Sequence, residues 1–239
     1  IASLLVELLG SEDEAVTPRA ARAIAELASR HSAPMQAMVA KLGGGEKLAA
    51  LLSRGTSPPQ RERRRVSPSG RRKGLVGLPD ASLTKEVASA IRALADGSEA
   101  NQGALAQSGA LSALVRLLSD PSKAASHPAI AGAIGSLCES HEANQAAVAT
   151  EHAGLLRLIE MISTEAGARP EGAAVEALNA LAALPANRVP LAEMGAIPKL
   201  VALLHCAGHK HGKGGESGGA SGGASGGTSG GASGGASGG

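Results

Sequence analysis

The chain has 239 residues, a formal net charge of only +2, and no Phe, Tyr or Trp, so Ala, Leu, Ile and Val must fill its interior. Such side chains suit thin layers of closely packed helices better than the thick core of a β-sandwich or barrel. Its 2 cysteines exclude a disulfide framework, and no apolar run approaches the roughly 20 residues that span a bilayer. We therefore expect an intracellular protein of the cytoplasm, with the nucleus as the alternative, and no membrane insertion.

In chain order, the sequence predicts helices only. The opening SLLVELL resembles the second helix of a unit whose third helix follows, and residues 34–52 form a pair of helices around the turn Gly43-Gly44-Gly45. Third helices share apolar residues at helical spacing. They contain ARAIAELAS (21–29), ASAIRALAD (88–96), AGAIGSLCE (131–139) and VEALNALAA (175–183).

These elements repeat with a period of 43 residues. An Ala-Asn pair ends at Asn101, Asn144 and Asn187, each 43 residues after the last. A turn containing Gly and Ala then leads into a second apolar helix: LSALVRLL, LLRLIEMI or IPKLVALL. In the earlier unit Pro34 stands at the Asn position, after a third helix predicted to end near residue 29. Asn101 therefore marks a register within a three-helix unit rather than a binding site.

This pattern resembles the armadillo family, whose unit has three helices in about 40 residues. The segments EMGAIPKLVALL (193–204) and SGALSALVRLL (108–118) carry the likeness, which covers residues 1 to about 204 in register. HEAT repeats are the rival, but they usually have two helices per unit and lack the Gly-Ala turn. The resemblance implies an all-α, right-handed solenoid of about four armadillo repeats.

The repeat divides the chain into four segments. Residues 1–53 hold a partial and a first unit, 54–80 an insert, 81–204 further units, and 205–239 a Gly/Ser/Ala-rich tail. Both the insert and the tail are predicted to be disordered by composition. Because the array begins with a second helix and ends without a third, we expect a fragment of a larger armadillo-repeat protein or a partner that covers the ends.

The insert is strongly basic, with a charge of +7 between residues 54 and 73. It is interpreted as a solvated loop, with a nuclear-localisation signal or nucleic-acid contact as the alternatives. The lack of interleaved aromatic residues disfavours nucleic acid. Ser67, within Arg64-Arg65-Val66-Ser67-Pro68, is a candidate phosphorylation site that would offset part of this charge.

The sequence offers no catalytic constellation, so we expect no enzyme activity, no cofactor and no metal. Cys138 aligns with small core positions of the other third helices and is interpreted as a packing residue. The segment Gly43–Lys47 resembles a phosphate loop but lacks the final Gly-Lys-Ser/Thr. The His residues at 31, 127 and 152 fall at loops or helix ends, and the cluster at 205–211 lacks a second group of metal ligands.

The resemblance also implies that third helices line a concave groove. Importin-α-like members carry Trp and Asn ladders there, and this chain has neither; Arg22 and Arg92 are isolated, so no basic line replaces them. The expected partner-binding positions are Arg22, Glu26, Ser89, Ala93, Gly132, Ser136, Glu176 and Ala180.

Three functions follow from this groove and the insert. The first is a non-catalytic scaffold or adaptor that holds a protein or peptide partner in the groove. The alternative is the substrate-recognition array of a U-box-type ubiquitin ligase whose catalytic module lies outside this chain. The third is polyanion contact through the Arg-rich insert. The sequence makes no prediction of the oligomeric state.

Overall fold

The computed structural model describes residues 1–11, 13, 15–54, 81–162 and 172–211, and every regular element among them is helical. A short 3₁₀ helix, Pro121–Ser126, leads into the seventh α-helix. The α-helices are α1 (Ala2–Leu8), α2 (Val16–Lys41), α3 (Gly44–Arg54), α4 (Ala81–Ala95), α5 (Glu99–Gln107), α6 (Ala110–Leu118), α7 (His127–Cys138), α8 (Glu142–Ala149), α9 (His152–Glu160), α10 (Gly172–Ala182), α11 (Pro185–Glu193) and α12 (Ala196–His211).

These helices form three-helix units that stack side by side. The third helices α4, α7 and α10 continue a layer begun by α2, since α2 contacts α4, α4 contacts α7, and α7 contacts α10. The second helices α3, α6 and α9 contact one another in the same order. This arrangement confirms the all-helical repeat that the 43-residue spacing predicts.

The first unit junction differs from the prediction. Helix α2 runs unbroken through Pro34, so the third helix of one unit and the first helix of the next form a single helix of 26 residues. At the later junctions an extended residue, Ser98 or His141, interrupts the chain and caps the next helix. The equivalent segment before Pro34 is helical, even though proline lacks an N–H and disfavours the helical conformation of the preceding residue.

The C-terminal boundary of the helical array also differs from the prediction. Helix α12 ends at His211, seven residues beyond the predicted end at 204, because glycine becomes frequent only after that point. The insert with Ser67, and the tail beyond His211, lie outside the described residues.

Small side chains let neighbouring helices approach closely, as the composition predicts. At Gly135 on α7, an added Cβ would lie 3.3 Å from the Cα and N of Ala177 on α10. Buried Leu and Ile residues such as Leu114, Ile134 and Leu137 fill the space between the layers. None of the described helices has both the length and the apolar character needed to cross a bilayer.

Glycine makes the tight turn before three of the second helices, and before α3 it is Gly43 with φ +72°. Gly109 and Gly195 have φ values of +86° and +87°, a left-handed conformation that glycine adopts without a Cβ clash. In the unit between them Glu151 precedes α9 with φ −95°. The Gly-Ala turn therefore predicts where the second helix begins, but the residue before that helix is not left-handed in every unit.

Asn side chains bind the last carbonyl groups of the third helices α4, α7 and α10. These carbonyls have no partner within the helix, and the three Asn residues of the repeat supply one. The Nδ2 bonds are Asn101 to Leu94 O (2.9 Å), Asn144 to Leu137 O (2.7 Å) and Asn187 to Leu181 O (3.0 Å).

Two of these Asn residues also join one unit to the next. Asn144 Nδ2 donates to Gln102 O at 3.3 Å, and Asn187 Nδ2 donates to Gln145 O at 3.1 Å. The Gln side chains in turn donate to the last carbonyls of their own third helices. We call this set of bonds the Asn/Gln ladder. It confirms that the repeated Asn serves the register of the array.

Replacing Asn144 with Ala should destabilise the protein by about 1–3 kcal/mol, because two buried carbonyl groups would lose their donor. Urea unfolding followed by circular dichroism measures this change. The matched control is Asn179→Ala on α10, an exposed residue whose replacement should stay within about 0.5 kcal/mol. Equal losses in the two variants would contradict a structural role for the ladder.

Candidate functional site

The candidate site is the third-helix surface, defined as the solvent-facing side of α2 (residues 16–29), α4, α7 and α10. The predicted positions on it differ in accessibility. Arg22, Glu26 and Glu176 are exposed, whereas Ser89, Ser136 and Ala180 are half-buried. Ala93 and Gly132 are buried. The surface therefore presents a few charged groups above a floor of small residues.

A cleft of ≈ 360 Å³ lies on this surface between α2 and α4. It brings together three of the predicted positions, Glu26, Ser89 and Ala93, and it also includes residues that sequence reasoning missed, among them Asp96 at the end of α4. The full lining is Ala25, Glu26, Ser29, Ser89, Arg92, Ala93 and Asp96.

Both arginines on this surface are paired with carboxylates, which the sequence analysis did not predict. Arg22 Nε lies 3.2 Å from Glu26 Oε1, one turn along α2. Arg92 Nη2 lies 3.0 Å from Glu176 Oε2, which joins α4 to α10. The second pair connects residues 84 positions apart, so the sequence carried no local signal for it.

The Arg92–Glu176 pair crosses the intervening helix α7 at Gly132. A Cβ added at Gly132 would lie 2.9 Å from Arg92 Nη1 and 3.3 Å from its Cδ and Cζ. The arginine side chain therefore lies against the backbone of α7, in space that any other residue would fill. Arg92 thus links α4, α7 and α10. It brings together two of the predicted positions, Gly132 and Glu176.

The remaining predicted positions, Ser136 and Ala180, lie further along α7 and α10 and are half-buried. They extend the floor of small side chains beyond the Arg92–Glu176 pair.

The Gly43–Lys47 turn has a structural role. Lys47 Nζ donates to Val6 O at 2.8 Å, which ties α3 to α1. The ammonium group that would contact a phosphate in a phosphate loop is therefore used in a helix contact. Among the described residues, no group of three or more His, Cys, Asp and Glu side chains could hold a metal ion.

Cys138 is fully buried among the third helices, and burial raises the pKa of its thiol to about 12. The thiol form therefore persists at neutral pH, and the thiolate is the nucleophilic form of cysteine. Cys138 is a packing residue, as its alignment with small core positions indicates.

His127 is buried at the start of α7, and both of its ring nitrogens have partners. Arg157 Nε on α9 donates to Nδ1 at 3.3 Å, so the ring proton lies on Nε2, which is 3.0 Å from Asp120 O. Burial lowers the pKa of His127, and the hydrogen bond to Asp120 only partly opposes that effect. The neutral ring links two units, a role that its predicted place at a helix end did not suggest.

Lowering the pH should destabilise the protein through His127. Because its pKa is lower folded than unfolded, its contribution is complete above the unfolded value of about 6.5 and is lost as the pH falls through the folded pKa. Urea midpoints of the wild type and His127→Gln from about pH 8 to about pH 5 measure this, since Gln can keep both hydrogen bonds without titrating.

The control for this measurement is His152→Gln, which changes an exposed histidine. The other groups near His127 are Arg157, Lys123, Glu160 and Asp120. Hydrogen bonds from Ser122 lower the pKa of Asp120, so its titration falls below this pH range. A pH slope that is the same in the wild type and His127→Gln would show that His127 does not carry the effect.

Cys138 should be inert to thiol reagents in the folded protein. In a Cys206→Ser background at about pH 8, its labelling should be roughly a thousand-fold slower than that of a free cysteine, because both burial and the raised pKa suppress the thiolate. Labelling in urea should reach one equivalent per chain. Rapid labelling without denaturant would instead indicate an accessible, ionisable thiol.

Comparison with known proteins finds similarity in structure only. No protein-family profile matches the chain, and no curated protein sequence matches it. Among similar solved structures is an engineered protein with 25% identity and a TM-score of 0.67, where the match covers 85% of this chain and 73% of the other.

Two further similar structures are designed armadillo repeat proteins. One has 23% identity and a TM-score of 0.62 over 86% of this chain and 79% of the other. The second, solved in complex with the peptide (KR)4, has 23% identity and a TM-score of 0.64 over 85% of this chain and 74% of the other. The chain thus has an armadillo-like repeat fold, as the Asn register and the Gly-Ala turns indicate.

Proposed function

We propose that this armadillo-like solenoid is a non-catalytic scaffold that binds a protein or peptide segment along the third-helix surface, the concave face in an armadillo array. The observation that carries the proposal is the cleft between α2 and α4, which contains three of the predicted positions. It opens onto a surface that continues over α7 to α10 through direct helix contacts.

The floor of this surface favours a partner that approaches with its backbone. Ala93 and Ala180 leave little side chain between an incoming segment and the helices, and Ser89 and Ser136 offer hydroxyl groups beside them. Since no aromatic residue is available as an anchor, we expect modest affinity spread over several units rather than one dominant contact.

The similar structures support a peptide as the partner. One designed armadillo repeat protein is in complex with (KR)4, and another is described as designed for modular peptide recognition. Here the carboxylates of Glu26 and Asp96 are the acidic groups that line the cleft. They would complement basic side chains of a partner.

The state of the reactive side chains supports a non-catalytic role. Cys138 keeps its proton at neutral pH, and both nitrogens of His127 are occupied by structural hydrogen bonds. A nucleophile needs an accessible thiolate or a base within hydrogen-bond reach, and neither residue meets that requirement.

The other two functions remain predictions. The U-box alternative concerns a catalytic module outside this chain, and its recognition array would use the same surface. Polyanion contact and phosphorylation at Ser67 depend on the insert, which lies outside the described residues.

Selection of short random peptides on the immobilised protein tests the proposal. Ser89→Gln and Ser136→Gln should each weaken the selected peptides about tenfold or more, which corresponds to about 1.4 kcal/mol, because the longer side chains obstruct the floor. Titration by isothermal calorimetry measures the affinities.

The matched control is Ser112→Gln, an exposed position on α6 outside the third-helix surface. It should change the affinity by less than about twofold. Failure to select any peptide, or equal weakening by Ser112→Gln, would remove the support for this surface as the binding site.

A further inference from the structure

The Arg92–Glu176 ion pair differs from the pairs Arg22–Glu26 and Arg157–Glu160 in the helices it joins. Arg22–Glu26 and Arg157–Glu160 each lie within one helix, at spacings of four and three residues. Arg92 and Glu176 instead join α4 to α10, which lie on opposite sides of α7. This pair therefore connects third helices that are two units apart.

Gly132 is the residue that makes this connection possible. An alanine there would place its Cβ 2.9 Å from Arg92 Nη1, closer than side-chain carbons normally approach other atoms, so the guanidinium group would have to move. The arginine consequently lies directly on the α7 backbone and covers the floor of the third-helix surface at its middle unit.

We propose that Arg92 and Glu176 form a clasp across the third-helix surface, which holds α4 and α10 at a fixed separation and which a bound segment must open to reach the floor at Gly132. The second part rests on the proposed function; the first part does not. The clasp makes the middle unit the point at which partner binding and the spacing of the units are coupled.

The clasp should be easily opened. Both side chains are about half exposed, at 48% for Arg92 and 62% for Glu176, and exposed ion pairs are weak because water and salt compete for the charges. A partner that opens the clasp would lose that small contribution. Variants without it should therefore bind the partner about 1.4- to 5-fold more tightly, which is the typical strength of such a pair expressed as an affinity ratio.

Spin-label distances test the clasp without any partner. Labels at Lys85→Cys on α4 and Asn179→Cys on α10, in a Cys206→Ser background, report the separation of the two helices, and the buried Cys138 stays unlabelled. Glu176→Gln should lengthen and broaden the distance distribution. Gly132→Ala should do the same without changing any charge, because it displaces Arg92.

The matched control is Arg22→Gln, which breaks an ion pair on the same surface but within one helix. It should leave the distance distribution unchanged. If neither Glu176→Gln nor Gly132→Ala alters the distribution, or if Arg22→Gln alters it equally, the clasp is overturned, whether or not any peptide binds.

Peptides selected for the third-helix surface test the opening step. Arg92→Gln and Glu176→Gln should both increase affinity, and the double variant should gain no more than the larger single gain, because either change alone opens the clasp. A loss of affinity in one variant would mean direct contact with the peptide and overturn the opening step. Unchanged affinity in both would also overturn it while leaving the scaffold function intact.

Discussion

The Asn amide near the start of three first helices, at Asn101, Asn144 and Asn187, is the interaction on which this part of the array depends. It occupies the place where a third helix ends and its last carbonyl groups lack partners. The same amide reaches the backbone of the preceding unit, as Asn144 and Asn187 do through Gln102 and Gln145. At Asn144 and Asn187, the end of one helix and the contact with the preceding unit therefore depend on a single side chain.

The ladder leaves the opposite side of the third helices free to carry function. Helix α7 uses this freedom with two glycines on different sides. Gly135 admits the backbone of α10, while Gly132 admits the side chain of Arg92. One glycine sets how closely two units pack, and the other allows a charged group to pass over the helix between its neighbours. The middle of the surface therefore depends on two positions of α7 that carry no side chain.

Sequence reasoning found the elements because the ladder imposes a fixed position in every unit. Asn101, Asn144 and Asn187 recur at one spacing since each must reach the same carbonyl groups, and the helices on either side follow from that register. The prediction failed at Pro34, where neither an extended residue nor a left-handed one stops the helix. A proline alone is a weaker signal of a boundary than the capping residues Ser98 and His141.

The pairings on the candidate surface were not predictable in the same way. Arg92 meets Glu176 because α4 and α10 face a common space, and nothing local to either residue records that. His127 is a similar case, since one of its hydrogen bonds comes from Arg157 in the next unit. Residues that act within one helix or one turn could be read from the sequence, whereas residues that act between units required the fold.

The close approach of α7 and α10 at Gly135 determines how a substitution there would affect the shape of the array. In a globular core an added methyl group strains the neighbours on every side. Here it would push α7 from α10 along a single line of contact, and because units are joined in series the resulting tilt would carry every later helix with it. A substitution of this kind would change the angle between neighbouring units. The displacement of later helices would grow with their distance from the altered residue.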